Sequence, residues 1–336
     1  MKTNKLYEKT KKFLKDNCKF LIIYSILLLL FTVRLDYEVY TPGGLSNLNK
    51  RISMDNPYES EGSLNLTYVN AKKGIIPMIL LSYIIPSWDL VSIDDSRIED
   101  EEYIDILARG KIDLKSVNGN AIITAFKRAN MDYNIVKNDL TVYYVFNDAT
   151  TNLKVGDIIK KVDGVSVSDL ASFKKLISEK NVGDTVTFTV IRNNKETTKT
   201  GRVYESEENK LIGIYLTSVL EVTTDKNVVF KYKNNESGSS GGLMSALEIY
   251  NQLTENDITK GLTIAGTGTI DMDGNVGEIA GVKYKIMGAV KNKADVFIVP
   301  ADNYEEAKEA VSKYNYKIKL IEAKNFNQVL EDLEKI

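Results

Sequence analysis

The chain has 336 residues, 43% of them hydrophobic and 27% charged, with a formal net charge of −2. That length supports two or three domains with real cores, and the charge gives no bulk case for nucleic acid. There are no histidines and one cysteine, Cys18, which excludes a Ser-His-Asp triad, Cys-His chemistry, His-ligated metal, thiolate metal clusters and a disulfide within the chain. Nucleophilic catalysis must then use Ser or Thr, activated by Lys, a carboxylate or an N-terminal amine.

Residues 1–19 carry seven lysines against Glu8 and Asp16, and Phe20 to Val33 is a fourteen-residue apolar run closed by Arg34. Fourteen residues suit a signal-peptide core, but Lys19 and Arg34 can snorkel and extend the run. No small-x-small cleavage site follows. The expectation is a cytoplasmic basic segment (1–19) and a retained single-pass transmembrane anchor (20–34), with the rest of the chain outside the cell membrane. Residues 35–132 form an N-terminal extracellular region. Within it, Tyr37 to Tyr40 and Gly62 to Val69 read as strands. Ile75 to Ile85 is a second apolar run, too short to cross a bilayer; it reads as a buried helix, the alternative being a dip into the outer leaflet. Ser92 to Asp105 holds seven Asp or Glu with no ligand spacing, so it reads as a solvated face. Residues 118–131 have the spacing of an amphipathic helix, with Ile122, Ile123 and Phe126 on one face and Asn118 or Asn120 as caps.

The texture changes at Tyr133, and 133–206 reads as a β-rich unit. Leu140 to Phe146 is a strand. Two tight turns, Gly156-Asp157 and Asp163-Gly164, flank another. A helix spans 170–178, and Thr185 to Arg192 alternates as a strand. Leu153-Lys154-Val155-Gly156-Asp157-Ile158-Ile159-Lys160-Lys161-Val162-Asp163-Gly164 resembles a PDZ domain of the bacterial type. The resemblance implies a groove that takes an extended peptide by strand addition. It places the strand edge at Leu140, Thr141, Val142, Tyr143 and Tyr144, facing helix 170–178.

The last unit, 207–336, alternates strands and helices. Strands are expected at 211–217, 227–232, 263–270, 296–300 and 317–321, and helices at 242–253, 282–292, 303–313 and 325–335. No G-x-x-x-x-G-K-[ST] is present, so neither nucleotide nor other cofactor is expected. Asp271-Met272-Asp273-Gly274-Asn275 glances at a calcium loop, but Val276 and Val282 stand where Gly and Glu are needed; it reads as a turn, and no metal is expected. Ser172/Lys175 and Lys199-Thr200-Gly201 are too close together for penicillin-binding chemistry.

The stretch with chemical promise is Gly238-Ser239-Ser240-Gly241-Gly242, ahead of an apolar helical pattern. It presents a hydroxyl at a helix N-terminus, where backbone N–H groups can hold an oxyanion. With Gly266-Thr267-Gly268, Gly281-Val282-Lys283-Tyr284-Lys285 and Phe297 to Pro300 in this order, the series resembles the proteolytic domain of the Lon family of Ser-Lys peptidases. The resemblance implies Ser240 as nucleophile, Lys283 as base and Thr267 as a hydroxyl that orients the lysine. Ser239 is the alternative nucleophile. Lys285 is the alternative base, expected to face solvent. A lysine base must be desolvated, because an exposed ammonium has a pKa of ~10.4.

Together these readings give an α+β multidomain chain: anchor, PDZ-like β-rich domain and Lon-type α/β proteolytic domain. It resembles the membrane-anchored PDZ–Lon-like proteases of Gram-positive bacteria. The function implied is ATP-independent cleavage of extracytoplasmic peptides or unfolded polypeptides, with a hexameric ring as the implied assembly. The alternative is a catalytically silent PDZ scaffold or regulator at the cell surface.

Overall fold

The computed structural model describes residues 2–99, 101–206 and 209–336. Asp100 of the acidic stretch lies outside them, as do Glu207 and Glu208 at the expected start of the last unit. The chain divides into two compact units, residues 1–42 with 69–96 and residues 43–68 with 97–336.

The first unit begins with helices α1 (Lys2–Asp16) and α2 (Cys18–Thr32). The expected anchor is overturned here. The apolar helix has 15 residues, which at ~1.5 Å per residue span about 22 Å against a hydrocarbon core of ~30 Å. No helix among the described residues is long and apolar enough to cross a membrane. Strand β1 (Arg34–Asn47) follows; β2 (Ile52–Ser53) and the start of β3 (Ser63–Ile75) belong to the second unit. The apolar run after β3 forms α3 (Ile76–Ser82), which contains no buried residue, so the expected buried helix is corrected as well. Its Pro77 stands in the first turn, where a missing N–H costs nothing. Strand β4 (Asp89–Ser92) pairs antiparallel with Tyr37–Tyr40 of β1.

In the second unit a single 26-residue helix, α4 (Tyr103–Arg128), replaces the short helix expected at 118–131. The asparagines thought to cap it lie mid-helix and bond outward: Asn120 Nδ2 donates to the Ile270 carbonyl at 3.0 Å, and Asn118 Oδ1 accepts from the Tyr232 hydroxyl at 2.7 Å. The acidic stretch is not wholly solvated either. Glu101 is buried and takes Arg109 in a two-pronged ion pair at 2.6 Å.

The β-rich part contains β5 (Tyr133–Val145), β6 (Ile158–Val162), β7 (Val165–Ser166), α5 (Leu170–Ser178), β8 (Thr185–Arg192), β9 (Lys195–Arg202), the hairpin β10 (Tyr204–Ser206) and β11 (Asn209–Leu211), and β12 (Ile214–Thr224). The sheet runs β12-β5-β6-β8-β9, with β7 on β6. In β8 the alternation is complete: Val186, Phe188 and Val190 are fully buried beneath helix α5's Phe173 and Ile177. Asp169 and Ser172 cap α5 reciprocally.

The remaining elements are β13 (Val229–Phe230), α6 (Gly242–Leu253), β14 (Thr263–Gly266), α7 (Val282–Lys291), β15 (Val296–Pro300), α8 (Tyr304–Lys313), β16 (Lys319–Ala323) and α9 (Phe326–Glu334). Strands β16, β15, β14 and residues Ser63–Leu66 of β3 pair in parallel, with α7 and α8 as crossovers. Both faces of this sheet are covered. Ile264 and Ile298 join α4, α6 and α9 in one core, while Ala265, Phe297 and Val299 join α7 and α8 in another. Within the expected N-terminal region, 35–132, residues 63–66 supply this sheet with a strand and α4 supplies this core with a helix.

Candidate active site

Strand β14 ends at Gly266, and Thr267 is the next residue, at the carboxyl end of a parallel strand where α/β sheets place their ligands. Thr267 is fully buried. Its N–H donates to the Ile298 carbonyl at 3.0 Å, which ties it to β15. Gly266 must be small, since a Cβ there would lie 2.5 Å from the Met244 sulfur and 3.0 Å from Ile298.

The serine loop lies beside it. Gly268 N–H donates to the Ser240 carbonyl at 2.8 Å, and Leu243 N–H donates to the Gly268 carbonyl at 3.0 Å. The Thr267 hydroxyl donates to the same Ser240 carbonyl at 3.0 Å. Ser240 is thus fixed by its main chain, directly ahead of α6, whose N-cap is Gly241. Among the described residues, Ser239 is held through its carbonyl alone, which accepts the Gly242 N–H at 3.1 Å. Among the described residues, the amides of Ser240 and Gly241 donate to no protein acceptor.

The lysine that reaches this cluster is Lys285. Its Nζ donates to Thr267 Oγ1 at 2.9 Å, and the residue is 4% exposed. Helix α7 explains why. Val282, Ile286 and Ala289 are its fully buried stripe, and position 285 is three residues after the first and four before the last, on the same face. The expectation that Lys285 faces solvent is therefore overturned. Lys283, the expected base, is half-buried, with its Nζ 5.3 Å from the Tyr284 ring centroid. Burial pushes the Lys285 ammonium down to about 8, partly opposed by the Glu306 carboxylate. The spacing Val282, Ile286, Ala289 was available in the sequence and is the signal that identifies Lys285.

The expected peptide edge is also displaced. Leu140, Thr141, Val142 and Tyr144 of β5 pair with β12, and Leu140 and Thr141 pair on the other side with β6. A strand paired on both sides has no edge to offer. Tyr143 lies in the same strand and stacks edge-on against Tyr215 of β12. The terminal strands of this sheet are β12 and β9, and β12 is the one beside β5.

Comparison with known proteins matches these two regions. Residues 128–200 match the PDZ domain, and residues 233–335 match the C-terminal proteolytic domain of Lon protease (S16). The chain joins a PDZ domain to a Lon-type proteolytic domain. Among curated proteins, it is similar to the serine protease Do-like HtrA of Lactobacillus helveticus, 28% identical over 34% of this chain and 28% of that one. It is also similar to the Lon protease of Desulfatibacillum aliphaticivorans, 30% identical over 29% of this chain and 11% of that one. The chain thus spans little more than a quarter of the first relative and about a tenth of the second. Among solved structures, the PDZ domain of an SdrC-like protein from Listeria monocytogenes matches 25% of this chain and 92% of its own, at 25% identity and a TM-score of 0.23.

Proposed function

We propose that the chain is a serine endopeptidase in which Ser240 is the nucleophile, Lys285 the general base and Thr267 the residue that positions the lysine. The observation that carries this is one hydroxyl with two partners: Thr267 Oγ1 accepts from the buried Lys285 Nζ and donates to the Ser240 carbonyl. Neutral Lys285 takes the Ser240 hydroxyl proton as the oxygen attacks the peptide carbonyl carbon. The resulting oxyanion is held by the amides of Ser240 and Gly241, each donor worth ~2.7–4 kcal/mol. Collapse breaks the C–N bond, and the lysine ammonium returns its proton to the leaving amine. Water, deprotonated by the same lysine, then hydrolyses the ester. No step draws on nucleotide, and the substrates are flexible or unfolded polypeptides.

Substrate is delivered along β12, one of the two terminal strands of the PDZ-type sheet, against α5. Leu211-Ile212-Gly213-Ile214 leads into this strand. Gly213 sits at φ +76, and a Cβ there would meet Ala149 at 2.5 Å. An extended peptide added to β12 would form main-chain hydrogen bonds, with side-chain pockets giving selectivity.

The test is cleavage of an unfolded polypeptide by purified wild type, Ser240→Ala and Lys285→Met, with folding monitored by circular dichroism. Both variants are expected to be inactive and folded. Full activity in Lys285→Met would sink the proposal, and activity lost in Lys283→Met instead would reassign the base.

A further inference from the structure

The approach to Ser240 is pinned from outside the Lon-type segment. Lys111 lies on α4, in neither of the two matched regions. Its Nζ donates to the Asn234 carbonyl at 2.6 Å and also to the Glu236 carbonyl. One residue earlier in α4, the Gly110 carbonyl accepts the Gly238 N–H at 2.7 Å. That close approach needs a small residue, since a Cβ on Gly110 would lie 3.1 Å from the Ser237 Cβ. The Glu236 side chain is engaged separately: it pairs with Arg51 and accepts the Lys233 N–H at 2.9 Å. One turn and more along α4, Val117 packs against Gly242 at the start of α6, where a Cβ would lie 2.2 Å from the valine methyl. The same helix therefore contacts the chain on both sides of Ser240.

We infer that Lys111 is a positioning residue for the nucleophile. Its ammonium draws together two carbonyls of the segment 234–238 and so fixes how that segment enters the Ser240 turn. A single charged donor shared by two carbonyls resists splaying of the loop more than two neutral bonds would, since charge-assisted bonds are roughly twice as strong. The inference rests on the peptidase reading. It adds that a residue remote from the chemistry sets the geometry of attack, where a misplacement of about 1 Å costs on the order of 100-fold in rate.

The experiment compares full-length wild type, Lys111→Met and Lys111→Arg. Three quantities are measured: the second-order rate of Ser240 acylation by a fluorophosphonate probe, amide hydrogen exchange across residues 231–245, and the thermal midpoint. Methionine keeps the aliphatic stem and removes the donor; arginine restores a cation whose fork reaches two acceptors. The expected result is acylation about 10- to 100-fold slower in Lys111→Met, faster exchange confined to 234–241, a thermal midpoint within a few degrees of wild type, and recovery of most of the rate in Lys111→Arg. Wild-type acylation and exchange in Lys111→Met would overturn the assignment. So would a rise in exchange throughout the unit together with a large fall in the midpoint, because that marks a general structural contact. A wild type that takes no label would overturn the peptidase reading, and the exchange arm would still decide whether Lys111 holds the loop.

Discussion

Lys285 and Lys283 are two residues apart and have opposite fates. One has its ammonium in the core on a threonine hydroxyl; the other lies over a tyrosine ring at the helix surface. Lys285→Met is expected to reduce peptide cleavage by about 10²–10⁴-fold, the range for losing a general base, while Lys283→Met should cleave at close to the wild-type rate. Because the base must be neutral, kcat/KM is expected to rise with pH through about 8, the value to which burial lowers Lys285, and then to level off. The same residue gives a stability signature. Between about 8 and its ordinary value of 10.5, the unfolded chain binds the proton that the folded chain has released. Stability should therefore rise with pH across that window, by about 3 kcal/mol in full. Titration of the urea midpoint reads it, and Lys285→Met should flatten the curve. Thr267→Val should slow cleavage and Thr267→Ser should retain most of it, since serine keeps the hydroxyl that joins Lys285 to the Ser240 carbonyl.

Among the elements, α6 carries the loop's helix and also a buried carboxyl. Glu248 is 2% exposed and accepts from Gln252 Nε2 at 2.6 Å, while Gln252 Oε1 is buried with no partner among the described residues. Burial is the main cause that pushes Glu248 up to about 7; the Gln252 hydrogen bond opposes it and Asp257 adds to it. The folded chain holds this proton between about 4.5 and 7, so stability should fall as pH rises through that window. Glu248→Gln should remove the fall and raise stability at pH 8 by about 2 kcal/mol, measured by urea unfolding, because the new amide can donate to the unpartnered oxygen. The peptide groove belongs to this scale too. When an extended peptide is added, amide exchange should slow at residues 214–218 of β12. Residues 140–144 should stay unchanged, since their strand already has a neighbour on each side. Slowing confined to 140–144 would place the groove elsewhere.

In the molecule as a whole, helix boundaries and strand boundaries were legible wherever periodicity was strong. The spans 170–178, 185–192, 242–253 and 296–300 follow from alternation, from the Asp169 cap or from glycine at the start of a helix, and they coincide with α5, β8, α6 and β15. These signals are local: each depends on residues within a turn or two of one another. The absence of histidine and the single cysteine likewise narrowed the chemistry to a serine or threonine with a non-imidazole base. Strand partners were not legible. That β12 lies beside β5, that residues 63–66 extend a sheet built some two hundred residues later, and that α4 reaches both sides of the serine loop are long-range matters, set by which apolar faces bury one another. The same distinction divides the candidate site. Sequence alone determined that a serine in a small-residue loop, a threonine after a strand and a Lys-Tyr-Lys helix were its components. Tertiary structure decided which lysine is inside, because the free energy that strips water from an ammonium comes from the sheet and helices packed around it, and no segment of the chain carries that by itself.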